Sequence, residues 1–141
     1  MATKKQSKIF VLDTNVILSA LITQGLSSRI LDLCIDQHNL FISQFIIDEV
    51  KDKLKSKFNI TPKNIKKVLT FITSSFIIAS PKGTIPDACR DKDDNNILLL
   101  SDFINADLII TGDKDLLSLK RYKHAIIITP RDYMEKYHNS Y

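Results

Sequence analysis

The chain has no tryptophan, two cysteines, three glycines and four prolines among its 141 residues. Each scarcity excludes something. Cys34 and Cys89 fit no metal-ligand spacing and give no disulfide framework, so both are expected as reduced core residues. Gly25, Gly83 and Gly112 supply no glycine-rich phosphate loop, which argues against a dinucleotide enzyme. No apolar run approaches the roughly 20 residues needed to cross a bilayer. The basic start Met1 to Lys8 leads into only a few apolar residues before Asp13, unlike a signal peptide. A cytoplasmic protein with no membrane partner is expected. With no Trp, and with phenylalanines mostly at core positions, no stacking platform for bases stands out. The histidines, His38, His124 and His138, fall in no Ser/His/Asp or Cys/His pattern and are expected at the surface. No nucleophilic side chain is therefore evident.

What is present is a globular pattern. Apolar residues make up 44% of the chain, and its length suits one domain over residues 1–141, with a core from about 8 to 137. Ile9 to Leu12, Leu40 to Ile42, Phe76 to Ala79, Leu108 to Ile110 and Ala125 to Ile128 are short apolar runs that read as strands. Helical spacing lies between them: Val16, Ile17, Ala20 and Leu21; then Ile30, Leu31, Cys34 and Ile35. Ser43 caps a helix with the stripe Ile47, Val50, Leu54 and Phe58. Thr61-Pro62 opens another, with Ile65, Val68, Leu69 and Ile72 inward. After an irregular stretch, 80–93, a helix carries Ile97, Leu100 and Ile104; a short one spans Asp113 to Leu119, and Thr129-Pro130 starts the last. Short strands alternating with helices predict an α/β fold, a central parallel sheet of about five strands with helices on both faces. In such a sheet the ligand crevice lies beyond the carboxyl ends of the strands.

The charged residues are unevenly placed. The net charge is +4, and between Lys51 and Lys67 seven lysines face one acid, Asp52. Lys51, Lys55, Lys63, Lys66 and Lys67 read either as a clamp for a nucleic-acid backbone or as a solvated helical face. Acids gather at Asp87 to Asp94 and at Asp113 to Asp115. Asp13 ends the first strand, Asp113 follows the strand 108–110, Asp94 begins a helix, and Glu49 flanks the stripe of its own. Taken singly, Asp13, Asp94 and Asp113 read equally well as helix caps. Taken together at one sheet edge, four acids repel. A pair about 4 Å apart repels by roughly 1 kcal/mol even in water. Such a nest persists if protons or a cation compensate, and all-oxygen ligands favour Mg²⁺ or Mn²⁺. Asp115 and Asp93 are weaker candidates for the metal.

Four segments in order resemble the PIN-domain family: Val11-Leu12-Asp13-Thr14-Asn15-Val16-Ile17; Ser43 to Glu49; Asp93-Asp94-Asn95-Asn96-Ile97-Leu98; and Ala106 to Leu117 with Thr111-Gly112-Asp113. The resemblance runs from Ile9 to about Thr129, and the last two segments are most similar to VapC-like toxins of bacterial toxin–antitoxin pairs. It implies a PIN-like fold and a metal-dependent endoribonuclease that hydrolyses RNA phosphodiester bonds. Asp13, Glu49, Asp94 and Asp113 would be the acidic quartet, and Asn15 and Thr111 polar supports. Asp93 and Asp94 compete for the third place; Asp94 is preferred because Ile97 stands three residues on. The resemblance further implies a cognate antitoxin and a homodimer. Two rivals remain. One is a non-catalytic PIN-fold binding module. The other is a haloacid-dehalogenase-type phosphatase, which needs a second Asp two residues after the first, where this chain has Asn15.

Overall fold

The runs Ile9–Leu12 (β1), Leu108–Ile110 (β4) and Ala125–Ile128 (β6) are too short and too uniformly apolar to pack as amphipathic helices, and they line up as buried strands. The computed structural model describes residues 7–137. The remaining elements are α1 (Thr14–Ile22), α2 (Leu26–Gln37), β2 (Asn39–Ser43), α3 (Gln44–Ser56), α4 (Pro62–Ser75), β3 (Ile77–Ala79), α5 (Lys92–Ile104), α6 (Lys114–Leu119), β5 (Arg121–Tyr122) and α7 (Pro130–Asp132). The chain then makes a π-helical turn over Tyr133–Tyr137.

The sheet order is β3-β2-β1-β4-β6-β5. Every pairing is parallel except β5 with β6. The expected five parallel strands are thus present, and a two-residue antiparallel strand adds a sixth. Its hairpin turns through Lys123, whose φ of 54° is left-handed without the usual Gly or Asn, so no turn signature marked it. Val11 pairs with Phe41 on one side and Ile109 on the other. Among the parallel strands, chain order runs outward from β1 on one side and from β4 on the other. The crossovers therefore reverse between β1 and β4, and the crevice opens where these two strands end.

One apolar cluster joins both faces of the sheet, including Cys34 and Cys89, which are free and buried. Burial pushes the Cys34 thiol up to about 12. His38 departs from expectation. It is 1% exposed and stacks on Phe10 at 4.4 Å, and its Nδ1 accepts a hydrogen bond from the Lys8 N–H at 3.1 Å. A flat ring with one nitrogen bonded to backbone can be buried as readily as a Phe. His124 is half exposed, its Nε2 at 2.9 Å from Asp107; His138 and the basic start 1–6 lie outside the described residues. Phe58 also departs from expectation. Helix α3 stops at Ser56, Asn59 turns the chain with φ 52°, and Phe58 is left 37% exposed. Among the described residues no single helix is long and apolar enough to cross a membrane.

Candidate active site

The site forms where β1 and β4 end. The Asp13 N–H bonds the Ile110 carbonyl at 3.0 Å, fixing both strand ends together. Asp13 occupies the N-cap position of α1, yet its side chain caps nothing. It accepts instead from the Thr111 hydroxyl at 2.7 Å. That hydroxyl in turn accepts the Asp113 N–H at 2.9 Å. One fully buried Thr thus holds two of the four predicted acids. Replacing it by the isosteric Val leaves a buried carboxylate oxygen and a backbone N–H without partners, at about 1–3 kcal/mol. Thr111→Val is expected to unfold at a lower urea concentration than the parent; an unchanged midpoint would remove Thr111 from this role.

The other two residues of the Asp-Thr-Asn run have partners of their own. The Thr14 hydroxyl donates to Glu49 at 2.7 Å, anchoring an acid from α3 beside Asp13. Asn15 is exposed and accepts a long hydrogen bond, 3.4 Å, from Lys53. It also lines a groove of about 490 Å³ with Gly112, Asp113, Lys114 and Asp115. Asn15 therefore faces the groove rather than bracing Asp13.

The rotation of α5 buries Asp94 and leaves Asp93 exposed. Its N-cap is Asp91, which accepts the Asp93 N–H at 2.9 Å. Asp94, Ile97, Leu98 and Ser101 then share the buried face, at the i, i+3, i+4, i+7 spacing. Asp94 is 5% exposed, and its Oδ2 has no hydrogen-bond partner among the described residues. Carboxylate oxygens of Asp94, Asp113 and Asp115 lie within 4.8 Å of one another. Asp113 also caps α6, taking the N–H groups of Asp115 and Leu116 at 2.8 and 3.1 Å. Asp115 is held by Arg90 at 3.1 Å on the open side. Asp93 is exposed and faces Glu49.

The electrostatics follow this division. Burial, then Asp113 and Asp13, push Asp94 up to about 7. Burial also raises Asp13, against the pull of the Thr111 and Thr14 hydrogen bonds. Glu49 rises to about 7 through burial and its contact with Asp93, opposed by Thr14 and Lys53. The structure thus gathers Asp94, Asp113 and Asp115 in one nest, with Asp13 near enough to act on Asp94 and Asp113 by charge, and it pairs Glu49 with Asp93.

Sequence reasoning gave no role to Asn95 and grouped Lys53 only with the seven lysines between Lys51 and Lys67. Asn95 is buried; its Oδ1 accepts the Ala88 and Cys89 N–H groups at 3.2 and 2.8 Å, and its Nδ2 donates to the Cys89 carbonyl at 2.9 Å. It ties the irregular stretch to the start of α5. Lys53 stands one turn after Glu49, a spacing that signals a paired face. The lysines singled out for RNA, Lys51, Lys55, Lys63, Lys66 and Lys67, are exposed on α3 and α4, and none lines the acidic groove.

Residues 10–115 match the sequence model of the PIN domain. An uncharacterized protein of Methanocaldococcus jannaschii is 34% identical to this chain over 141 positions, covering 90% of each. Among solved structures, the chain is similar to the crystal structure of VapBC2 from Rickettsia felis bound to a DNA fragment from their promoter. The TM-score is 0.62 at 18% identity, over 86% of this chain and 98% of that one, which is a likeness of fold.

Proposed function

The chain belongs to the PIN-domain family, and on that premise we propose that it is a divalent-metal-dependent endoribonuclease, the toxin of a toxin–antitoxin pair. The observation that carries this reading is the Asp94 Oδ2, buried among carboxylates with no hydrogen-bond partner among the described residues. Like charges at such distances need protons or a cation to compensate them, and an all-oxygen donor set suits Mg²⁺ or Mn²⁺. Asp13, Asp94 and Asp113 would hold the ion, with Asp115 at its open side. Once bound, the ion supplies positive charge to the phosphate and makes an attacking water more acidic.

The remaining work falls to the chain's own groups. Thr111 holds Asp13 in place through a hydrogen bond to its Oδ2. Glu49, raised to about 7, stands near neutrality and is suited to accept the proton of the attacking water. Lys53 places a positive charge beside Asn15 at the groove, where a phosphate would pass. The resemblance to VapC-like toxins, with VapBC2 as a structural neighbour, supports a cognate antitoxin and a homodimer.

The test is cleavage of a single-stranded RNA by the purified protein, with chelator and after Mn²⁺ or Mg²⁺ is restored. Internal cuts that vanish with chelator and return with metal are expected. Cutting that persists in chelator removes the metal from the mechanism. Affinity for RNA without turnover identifies a binding module. Turnover of a small phosphomonoester with RNA left intact identifies a phosphatase.

A further inference from the structure

On the other side of Asn15 lies a second groove, of about 270 Å³, between α1 and the end of α3. Leu18 and Ile22 of α1 line it, with Lys57 and Phe58 opposite. Asn15 lines both this groove and the acidic one, so the two lie on either side of one residue. The volume falls just under the roughly 300–1,000 Å³ of pockets that enclose whole drug-sized ligands. It suits one flat ring resting on an open face.

The helix α3 lays out a track toward this groove. Glu49, Lys53 and Lys57 recur every four residues and share one side. Glu49 meets Thr14, Lys53 meets Asn15, and Lys57 reaches the groove further along α1. From Glu49 to Lys57 the helical rise is about 12 Å, the reach of a nucleotide or two. The charge changes from negative at the acids to positive along the way, which complements a phosphate chain entering from the metal site. Phe58 is held in place by backbone. Its N–H bonds the Lys53 carbonyl at 3.2 Å, the Ile60 N–H bonds the Leu54 carbonyl at 2.9 Å, and Asn59 closes the turn at φ 52°. The Lys57 ammonium lies 5.6 Å from the Phe58 ring centroid. A fixed, part-exposed aromatic beside two lysines has the make-up of a stacking platform for single-stranded nucleic acid.

We propose that this groove takes the base of a nucleotide flanking the cut, stacked on Phe58 and seated against Leu18 and Ile22. Lys53 and Lys57 carry the phosphates between. The inference rests on the nuclease reading and narrows its substrate to unpaired RNA, since a base held in a duplex cannot be splayed into the groove. It also departs from the sequence reading, in which no stacking platform for bases stood out.

The experiment is an abasic scan. Single-stranded RNAs carry one abasic residue at successive positions around the cleavage site, and kcat/KM is measured with Mn²⁺ for the parent, Phe58→Ala and Phe58→Leu. One flanking position is expected to cost the parent about tenfold when its base is missing. Phe58→Ala is expected to lose about tenfold on intact RNA and nothing more on that abasic substrate. Phe58→Leu, which keeps apolar bulk at the helix end, controls for folding and should lose part of the effect. Lys57→Gln should lessen the fall of cleavage with salt. Equal losses on intact and abasic RNA, or no loss at all, overturn the base site while leaving the nuclease in place. Normal RNA cleavage with weakened antitoxin capture by Phe58→Ala assigns the groove to a protein instead. A parent that cuts no RNA with metal present overturns the nuclease reading, and this site with it.

Discussion

Asp94→Asn is expected to lower RNA cleavage about a thousandfold and, in the same preparation, to stabilise the metal-free protein. The two effects have one cause. Asp94 is buried among acids, and its Oδ2 is unbonded among the described residues. Asparagine keeps the shape but removes the charge that a divalent ion requires. A thousandfold corresponds to about 4 kcal/mol of barrier, within what a bound metal supplies. Without metal, the same exchange removes repulsion from Asp113 and Asp13 and offers Asp113 an N–H donor, a gain of about 1 kcal/mol. Asp93→Asn is the contrast. Asp93 is exposed and touches Glu49, so its loss should cost less than about tenfold while drawing the Glu49 proton affinity down. Cleavage at saturating Mn²⁺ measures the first effect and urea midpoints in chelator the second. An Asp94→Asn protein that keeps a tenth of parental activity, or melts earlier in chelator, would contradict the assignment.

That contrast marks the boundary of what the sequence could show. Asp13 and Asp113 were legible because strands end sharply, and whatever follows the last apolar residue stands at the sheet edge. A helix is less forgiving, because one residue of shift turns a side chain by about 100°. Choosing between Asp93 and Asp94 needed the true start of α5, set by the cap at Asp91. The spacing of Asp94 with Ile97, Leu98 and Ser101 was available as a signal, but Asp93 has Ile97 and Leu100 at i+4 and i+7, so spacing left the two in competition. Asn95 was illegible for a different reason. Its partners, the Ala88 and Cys89 backbone, belong to an irregular stretch with no period to read. Phe58 looked like core because it continued the stripe of α3. Only the left-handed Asn59, a residue that tolerates that conformation, takes it out of the helix. Asp94 and Phe58 are thus side chains whose surroundings depend on where a helix starts or stops, and Asn95 is one whose partners lie outside any periodic element.

The stability of the metal-free protein is expected to fall as pH rises from 5 to 8, and divalent metal to cancel that fall. In the unfolded chain Asp and Glu release their protons near 4. In the folded chain Asp94 and Glu49 hold theirs to about 7. Between these values the folded state binds more protons than the unfolded one, so stability must decrease with rising pH. The loss begins above about 4 and levels off once pH has passed about 7. The two groups, Glu49 being only part-buried, give a total on the order of a few kcal/mol after solvent screening. A divalent ion competes for the same oxygens and binds only when the protons have left, so its stabilisation grows over the window in which the apo protein weakens. Urea midpoints at pH 5, 6, 7 and 8, with chelator and with millimolar Mn²⁺, should diverge steadily. Asp94→Asn in chelator should show a shallower slope, leaving the part owed to Glu49. A level chelator profile would mean the acids are not held protonated in the fold. If the profiles diverge as expected, cleavage should rise with pH over the same interval, because the proton lost from Asp94 frees an ion ligand and the proton lost from Glu49 frees a base.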